Sequence, residues 1–290
     1  MPDGIWRRVD DISKQFTGAG WKNLPQELVD EILDYILDDL KALKACSLTC
    51  KRLFGATRPL IHQRFMCLGS KPGGPKPIGR HKRDSGTFGR LTDADRSGVL
   101  CYIQHLTIKV EDGYVYPRDM QECLPHLRLI PKLHALTLDT FHLHLFIPVF
   151  DEHFGMFTNT LRHLDIQNTY GTARQLSYII CQFPLLEDLT IVSPAGGIVA
   201  DHEHPIPTVI QSPPLRGRLV VSQVHSREFF DGLAKFPGGL NFRSLELHQC
   251  EHLEVILKTC GHTTTSISYL WRCGGFGSES NFSIRVYILM

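Results

Sequence analysis

The chain has 290 residues, of which 42% are hydrophobic and 21% charged, and its formal net charge is +1 at pH 7. Such values are typical of a soluble globular protein of one to three domains, and they exclude a strong overall attraction to nucleic acid. No apolar run approaches the roughly 18 residues of a membrane-spanning helix, and the N-terminus has no apolar signal core. We therefore expect a protein of the cytosol or the nucleus, with neither membrane nor nucleic acid as a partner.

The first predicted element is a block of short helices at 24–60. Pro25 is a helix-start signal, because the N–H that proline lacks would have no partner in the first turn, and Asp38 and Asp39 offer a second start. The first helix is expected to carry its apolar residues on one stripe, opposite an acidic face. About forty residues bury too little surface to be comfortably stable alone, so we expect a partner. The apolar positions are Leu28, Ile32, Leu33, Ile36, Leu40, Leu43 and Leu48.

The same block resembles the F-box, the motif that docks on the Skp-type adaptor of cullin-RING ubiquitin ligases. The resemblance runs in order from LPQEL at 24–28 to CSLTCKR at 46–52. In that family the helices interleave with the C-terminal helices of the adaptor, which implies the same docking here. An alternative stays open, in which the helices pack on the rest of their own chain. The resemblance assigns to adaptor contact or motif core Leu24, Pro25, Leu28, Ile32, Leu33, Ile36, Leu40, Leu43, Ser47, Leu48 and Cys50.

A Gly- and Pro-rich stretch at 69–98 follows, with few large apolar residues and no usable period. This composition predicts a linker or a mobile loop. Its first half is basic, which is compatible with a solvated linker or with a nuclear address. The predicted organisation is an N-terminal tail at 1–20, the F-box helical domain at 21–68, the basic linker at 69–98 and a leucine-rich-repeat-like domain at 99–290.

Beyond the linker a three-residue phrase, Leu-x-Leu/Ile/Val, returns six times, with first positions 30, 28, 25, 30 and 26 residues apart. In four units a third apolar residue lies three positions upstream, which gives the L-x-x-L-x-L pattern of leucine-rich repeats. The last unit ends in Cys250, where that pattern often has Asn or Cys, and we expect the others to lack this polar residue. The fifth unit is slipped by one residue. The phrases begin at Leu106, Leu136, Leu164, Leu189, Leu219 and Leu245.

Helical segments lie between the phrases at 173–183, 226–236 and 251–260, and Ser226 is a plausible cap for the second. The predicted fold is therefore α/β: a small all-α F-box block followed by a degenerate leucine-rich-repeat solenoid whose stacked strand and helix units share one core. The order of F-box, linker and irregular repeats resembles the F-box proteins abundant in mushroom-forming fungi. For the tail at 271–290, a last strand and a divergent end are both open.

The leucines of each phrase should point into the core, so the polar residues beside them should line an open face of the sheet. This face is mixed in sign, without the basic or aromatic stripe of a nucleic-acid or sugar site. It is the predicted target-binding surface, although a merely solvated face explains the pattern as well. Its residues are His105, Thr107, Lys109, Thr137, Asp139, His163, Asp165, Gln167, Asp188, Thr190, Arg218, Ser222, Glu246 and His248.

The sequence offers little chemistry. Nine unpaired-looking cysteines without a signal peptide predict reduced thiols and no structural disulfide. Cys46 and Cys50, expected on one helix face, have no companion pair with zinc-finger spacing, and neither His142-x-His144 nor the pair at 202–204 has a third ligand nearby. No nucleophile elbow, phosphate loop or zincin helix occurs, so we expect no metal and no cofactor.

These patterns favour a non-catalytic substrate receptor of an SCF-type ubiquitin ligase, whose F-box holds the adaptor while the repeats hold a target protein. The alternative is a stand-alone repeat scaffold that binds a protein without joining a ligase. The two differ in whether the apolar residues of the helical block face a partner or the core of their own chain.

Overall fold

The computed structural model describes residues 24–69, 98–110, 124–193, 198–199, 215–225, 227–234, 236, 240–260, 264–275 and 278–287. It divides into two compact units that meet in sequence between Gln63 and Arg64. The first, here called the helical unit, comprises the described residues up to 63. The second, here called the sheet unit, begins at residue 64. The predicted tail at 1–20 and residues 70–97 of the predicted linker lie outside the described residues.

The helical unit contains three helices, α1 (Gln26–Tyr35), α2 (Leu40–Ser47) and α3 (Lys51–His62). The second predicted helix start is confirmed, because the Asp39 side chain accepts hydrogen bonds from the backbone N–H of Lys41 and Ala42 at 2.9 and 3.0 Å. Such a cap satisfies donors that have no partner inside the helix. The core of the unit consists of Val29, Leu33, Leu43 and Leu53.

The placement of Cys46 and Cys50 on one helix face was wrong. Cys46 belongs to α2, whereas Cys50 lies in the turn after it and caps α3, with its Sγ accepting from the Leu53 N–H at 3.5 Å. Cys50 therefore starts a helix, as short polar side chains commonly do at this position.

The sheet unit is mixed α/β, and its described residues contain a nine-stranded sheet in which eight strands run parallel. Each of the six predicted phrases is confirmed as a strand. β1, at the end of the block assigned to the F-box domain, was not predicted. The strands in sheet order are β1 (Arg64–Gly69), β2 (His105–Val110), β3 (Ala135–Asp139), β4 (His163–Gln167), β6 (Asp188–Val192), β8 (Arg218–Ser222), β9 (Ser244–His248), β10 (Ser266–Gly275) and β11 (Ser278–Tyr287).

The register places equivalent residues of successive phrases side by side. Leu106 pairs with Leu136, Leu136 with Leu164, and Leu164 with Leu189, and the series continues to Leu245. Along each strand the leucine positions are buried and the alternate positions are more open, as the two-residue period predicts. One continuous hydrophobic core therefore runs beneath the strands.

Four helices of the sheet unit pack in sequence order as a row of neighbours. The helices predicted at 173–183, 226–236 and 251–260 are confirmed with shorter bounds, and Ser226 lies outside the described residues. A capping box at Thr172 and Gln175 begins α5. The four are α4 (Leu143–His153), α5 (Ala173–Cys181), α6 (Arg227–Ala234) and α7 (Leu253–Cys260).

The helix α4 was not predicted, because its segment contains Pro148, which is unfavourable inside a helix. A usable signal was present: Phe146, Phe150 and Phe154 recur every four residues, the spacing of one helix face. Their rings pack at centroid distances of 5.0–5.5 Å and are fully buried. The aromatic stripe therefore anchors α4 in the core.

Left-handed residues at the strand ends form the turns toward the helices. Thr140, Asn168, Gln223 and Gln249 each follow a strand directly and have φ between 49° and 64°. The backbone N–H groups of Thr140, Asn168 and Gln223 each donate a hydrogen bond to the carbonyl of the last residue of the next strand, at 2.7–2.9 Å. Left-handed backbone is uncommon outside glycine, so sequence alone gave little sign of this repeated turn.

The polar position at Cys250 has a counterpart that the sequence analysis missed. The Cys250 Sγ donates to the carbonyls of Val221 and His248, both at 3.3 Å. Thr169 lies at the same place after its own strand, is buried, and donates to the Gln167 carbonyl at 2.9 Å. The Leu164 unit therefore lacks Asn or Cys at this position, as expected, but a threonine makes the equivalent hydrogen bond.

The slipped unit is accommodated by local backbone geometry. Leu215 is buried and adopts a φ of 42°, which absorbs the extra residue before Leu219. At the start of the neighbouring strands, one backbone carbonyl accepts hydrogen bonds from two successive N–H groups. Here the second of these N–H groups, that of Arg218, donates instead to the Asp188 side chain at 2.6 Å. Gly217 is needed for this approach, because a Cβ there would lie 1.9 Å from the Asp188 Oδ1.

At the C-terminal end, β10 pairs in parallel with β9 and then forms an antiparallel hairpin with β11. Of the two readings left open for the tail, a strand is thus the one observed. A separate two-stranded ladder joins β5 (Gly171–Thr172) and β7 (Ile198–Val199). None of the helices among the described residues has the length and apolar character needed to traverse a bilayer.

Candidate functional site

The helical unit exposes an unusual amount of apolar surface. Leu48 is 86% exposed and Leu28 is 46% exposed, although both are large aliphatic residues. The described part of this unit spans only 40 residues, so the exposed apolar set outnumbers the four side chains of its core. The exposed residues, here called the apolar surface, are Leu28, Ile32, Tyr35, Leu37, Leu40, Leu48 and Phe54.

The residues assigned by the F-box resemblance divide between surface and core. Leu28, Ile32, Leu40 and Leu48 are exposed, as is Pro25. Leu33 and Leu43 are fully buried, so in this fold they support the surface from below and do not form it. Leu24, Ile36 and Cys50 pack partly buried against that core, and the half-buried Ser47 donates its hydroxyl to the Lys44 carbonyl at 2.6 Å.

The single apolar stripe predicted for α1 is in fact two. Val29 and Leu33 face the core, whereas Leu28 and Ile32 face outward. Consecutive residues of a helix are about 100° apart, so two such pairs occupy neighbouring faces. No element among the described residues covers the outward stripe. Apolar side chains of α1 therefore point both toward the core of the helical unit and away from it.

Arg52, in the CSLTCKR segment, forms hydrogen bonds that link the end of the helical block to its start. Its guanidinium donates to the Leu24 carbonyl and, at 3.0 and 3.3 Å, to the Gln26 side chain. The end of the motif is thereby tied to its beginning, 26 to 28 residues earlier. This positions the start of α1, and with it the outward stripe.

The second candidate surface is the open face of the sheet, and the register arranges its predicted residues in rows. The middle row runs across β2, β3, β4 and β6 as Thr107, Thr137, Asp165 and Thr190. The last row includes Lys109, Asp139 and Gln167 at the ends of three of these strands. Asp165 therefore lies near the centre of the face, between two threonines.

Asp139 is part of the scaffold and offers little surface to a target. It is only 7% exposed, its Oδ2 accepts from the Lys109 ammonium at 2.6 Å, and its Oδ1 accepts from Asn168 and Thr140 at 2.8 and 3.0 Å. Burial alone would raise the pKa of Asp139, but these hydrogen bonds and the Lys109 charge outweigh it and hold the pKa below its ordinary value. The carboxylate joins β2, β3 and the turn after β4.

A chain of polar contacts begins at the first row of the face and crosses β4, β6, β8 and β9. The Asp188 Oδ2 lies 2.7 Å from the His163 Nδ1, while its Oδ1 accepts from the Arg218 N–H. The Arg218 guanidinium pairs in turn with Glu246, and Arg162 pairs with Glu187 beside this row. Most predicted target-binding charges are therefore already paired with one another.

Asp165 differs from its neighbours. Its Oδ2 accepts from the Gln167 amide at 2.7 Å, but its Oδ1 is buried with no hydrogen-bond partner among the described residues. Burial raises the pKa of Asp165; the Gln167 hydrogen bond opposes that rise and the Asp139 charge adds to it. A buried acceptor without a donor costs about 1–3 kcal/mol.

A half-open cavity of about 190 Å³ lies on the open face at this point. It sits between β3, β4, β6 and β8, and Asp165 and Thr190 belong to its wall. Its volume is below the roughly 300–1,000 Å³ of a drug-sized ligand site. The polar lining residues are Thr137, His163, Asp165, Asp188, Thr190 and Arg218.

The remaining predicted face residues are half-buried and line the open side: His105 and Thr107 on β2, Ser222 on β8, and His248 on β9. Burial lowers the pKa of His105, and the charge of Arg64 adds to this. The His248 Nε2 lies 3.9 Å from the Glu246 carboxylate, which extends the polar contacts of β9.

His142 and His144 lie at the start of α4. His142 precedes α4 and stacks on Tyr170 with ring centroids 4.9 Å apart, while His144 lies in the first helical turn. The pair at 202–204 lies outside the described residues. Over the described ranges no three His, Cys, Asp or Glu residues converge as a metal site would require, and no disulfide joins their cysteines.

Comparisons of the chain with protein-family models, with curated proteins and with solved structures returned no match. The apolar surface and the open face are therefore interpreted from their own geometry.

Proposed function

We propose that this protein is the substrate-recognition subunit of an SCF-type cullin-RING ubiquitin ligase, in which the helical unit docks on a Skp-type adaptor and the open face of the sheet unit binds a target protein. One observation carries the proposal. Of the fourteen large apolar side chains exposed among the described residues, seven lie within residues 24–63. Concentrated apolar exposure of this kind marks a protein interaction site.

The composition of the apolar surface supports adaptor docking in particular. Four of the aliphatic residues that the F-box resemblance assigns, Leu28, Ile32, Leu40 and Leu48, belong to it. Burial of one such side chain is worth about 1.5–3 kcal/mol. A unit with a four-residue core gains more from covering this surface than from any further packing within itself.

The proposal extends to the fold and the location of the protein. The in-register phrases and the row of neighbouring helices support a leucine-rich-repeat solenoid, in which each strand and helix unit contacts the next. The role is non-catalytic: the sheet unit holds a target and the ligase supplies the ubiquitin transfer. We place this activity in the cytosol or the nucleus.

The test is co-expression of the full-length chain with a Skp-type adaptor, followed by size-exclusion chromatography. We expect a stable one-to-one complex for the wild type. Ile32→Asp should weaken it by about 2 kcal/mol or more, roughly 30-fold in affinity, because a charge would enter the apolar contact. Leu257→Asp is the matched control, because Leu257 and Ile32 are both 38% exposed but lie in different units.

Retention of the complex by Leu257→Asp and its loss by Ile32→Asp would support the proposal. No complex with wild-type protein of normal helical content would reject adaptor docking and leave a stand-alone binding scaffold. An Ile32→Asp variant that binds the adaptor as tightly as Leu257→Asp would show that the contact does not use the outward stripe of α1.

A further inference from the structure

All but one of the carboxylates of the open face and its margin have a basic side chain as a partner. Asp139 pairs with Lys109, Glu246 with Arg218 and Glu187 with Arg162, while the Asp188 carboxylate contacts the His163 imidazole. Among the described residues, Asp165 makes no ion pair. Its carboxylate is at the centre of the face, where the register puts Thr137 and Thr190 on either side.

The surroundings of Asp165 make its lack of an ion pair energetically unfavourable. Its Oδ1 is buried and has no donor among the described residues, and Asp165 belongs to the wall of the cavity. Removing a charge from water without a counter-charge is unfavourable, and the nearby Asp139 charge adds repulsion. The sheet therefore holds a partly buried carboxylate without a counter-charge in the wall of a cavity.

We propose that this cavity receives a lysine or arginine side chain of the target protein, with Asp165 as the acceptor of its charge. The inference rests on the proposed function, in which the open face binds a target, and names the chemistry of the contact. The cavity is smaller than a usual small-molecule site and suits a single side chain. A cation in the cavity supplies the counter-charge that Asp165 lacks.

Other occupants fit less well. An anionic group would meet Asp165 and Asp188 in the same wall. An apolar side chain would leave the Asp165 carboxylate without a counter-charge in a drier environment, which is the costly arrangement. The Thr137 and Thr190 hydroxyls can accept additional hydrogen bonds from an ammonium or a guanidinium. Arg218 of the wall does not oppose a cation strongly, because it is already paired with Glu246.

The test uses the full-length chain and a phage-displayed library of random dodecapeptides. We expect wild-type protein to select peptides with lysine or arginine at one fixed position. Replacement of that residue by norleucine should weaken the selected peptide at least tenfold in fluorescence anisotropy. Asp165→Asn should have a similar effect, whereas Asp165→Glu should retain part of the affinity.

Two controls separate binding from folding. Glu187→Gln removes one negative charge beside the face but outside the cavity lining, so it should leave peptide affinity within about twofold. Asp165→Asn should have a melting temperature at or above that of the wild type, because it removes a buried charge that has no counter-charge. A merely structural Asp165 would instead lower the melting temperature when replaced.

The outcomes divide clearly. Selected peptides without a fixed cation, or with affinity unchanged by Asp165→Asn, would overturn the cavity proposal and leave target binding by the face intact. Failure to select any peptide, or selected peptides whose affinity does not respond to substitutions on the open face, would overturn both the cavity proposal and target binding by the open face. The adaptor experiment does not involve Asp165, so ligase docking succeeds or fails independently of this result.

Discussion

The two units of this protein differ in how much apolar surface they expose relative to the size of their cores. The helical unit has a core of four side chains and exposes seven large apolar residues within 40 positions. The sheet unit has one continuous core, and the polar residues of its open face are largely paired with each other. A short unit gains stability by covering apolar surface with a partner, whereas a long one is stable by itself and can keep a polar face for selective contacts.

This comparison predicts a large difference in tolerance to a core truncation. Leu43→Ala and Leu245→Ala each remove a fully buried leucine, at a cost of about 2–5 kcal/mol. In the full-length chain, Leu43→Ala should abolish the hydrogen-exchange protection of α1, α2 and α3 while the sheet stays protected. Leu245→Ala should lower protection in the sheet without unfolding it.

Persistent protection of the three helices in Leu43→Ala would show that the helical unit is more stable than its small core indicates. It would then need no partner for its own stability, and the contrast between the two units would fail.

A middle-sized effect concerns the paired charges of the open face. Asp139→Asn should destabilise the sheet unit by about 2 kcal/mol at pH 7 in urea unfolding, because the ionised carboxylate accepts from Lys109, Asn168 and Thr140. The folded state lowers the pKa of Asp139 from 3.8, so its stabilisation is present above that pH and is lost as the pH falls through the folded pKa. The difference in unfolding free energy between Asp139→Asn and the wild type should therefore shrink as the pH falls through the folded pKa of Asp139.

Asp165→Asn is the internal control for that pH series. The folded state raises the pKa of Asp165, so its ionisation destabilises the fold above the raised pKa and the penalty disappears in acid. The two asparagine variants should therefore differ in sign at pH 7. Effects of the same sign would contradict the division into paired and unpaired carboxylates.

The smallest effect concerns the slipped unit. Gly217→Ala should cost about 1–2 kcal/mol, because the new methyl group would collide with the Asp188 carboxylate and disturb its bond to the Arg218 N–H. Gly155→Ala is the matched control, since no atom lies within 4 Å of its added Cβ. Thermal unfolding measures both, and an equal effect of the two substitutions would show that Asp188 moves aside at no cost.

Sequence patterns predicted the local elements well wherever a short period repeats. The phrases at Leu106 to Leu245 are strands, and their alternation of buried and open positions follows from the two-residue period of a strand. The helix α4 was not predicted, although its phenylalanines carry the helical period. The apolar residues of α1 were predicted to form one stripe, but Val29 beside Leu28 places apolar residues on two neighbouring faces.

The candidate sites were predictable as sets of residues but not in their roles. The F-box resemblance named Leu28 and Leu43 alike, and only the packing of α1 on its neighbours exposes the first and buries the second. Periodicity named Asp139 and Asp165 as equivalent members of one face. Their different environments depend on which residues the adjacent strands bring beside them.

By itself the sequence determined the two kinds of unit, the strand phrases and the face on which the polar residues lie, because these follow from periods of two and 3.6 residues within a few positions. The tertiary structure decided which charges are satisfied. The Lys109 partner of Asp139 is 30 residues away, and the register that brings them together leaves Asp165 without such a partner. Pairing over that distance depends on the alignment of whole strands, which local sequence does not encode.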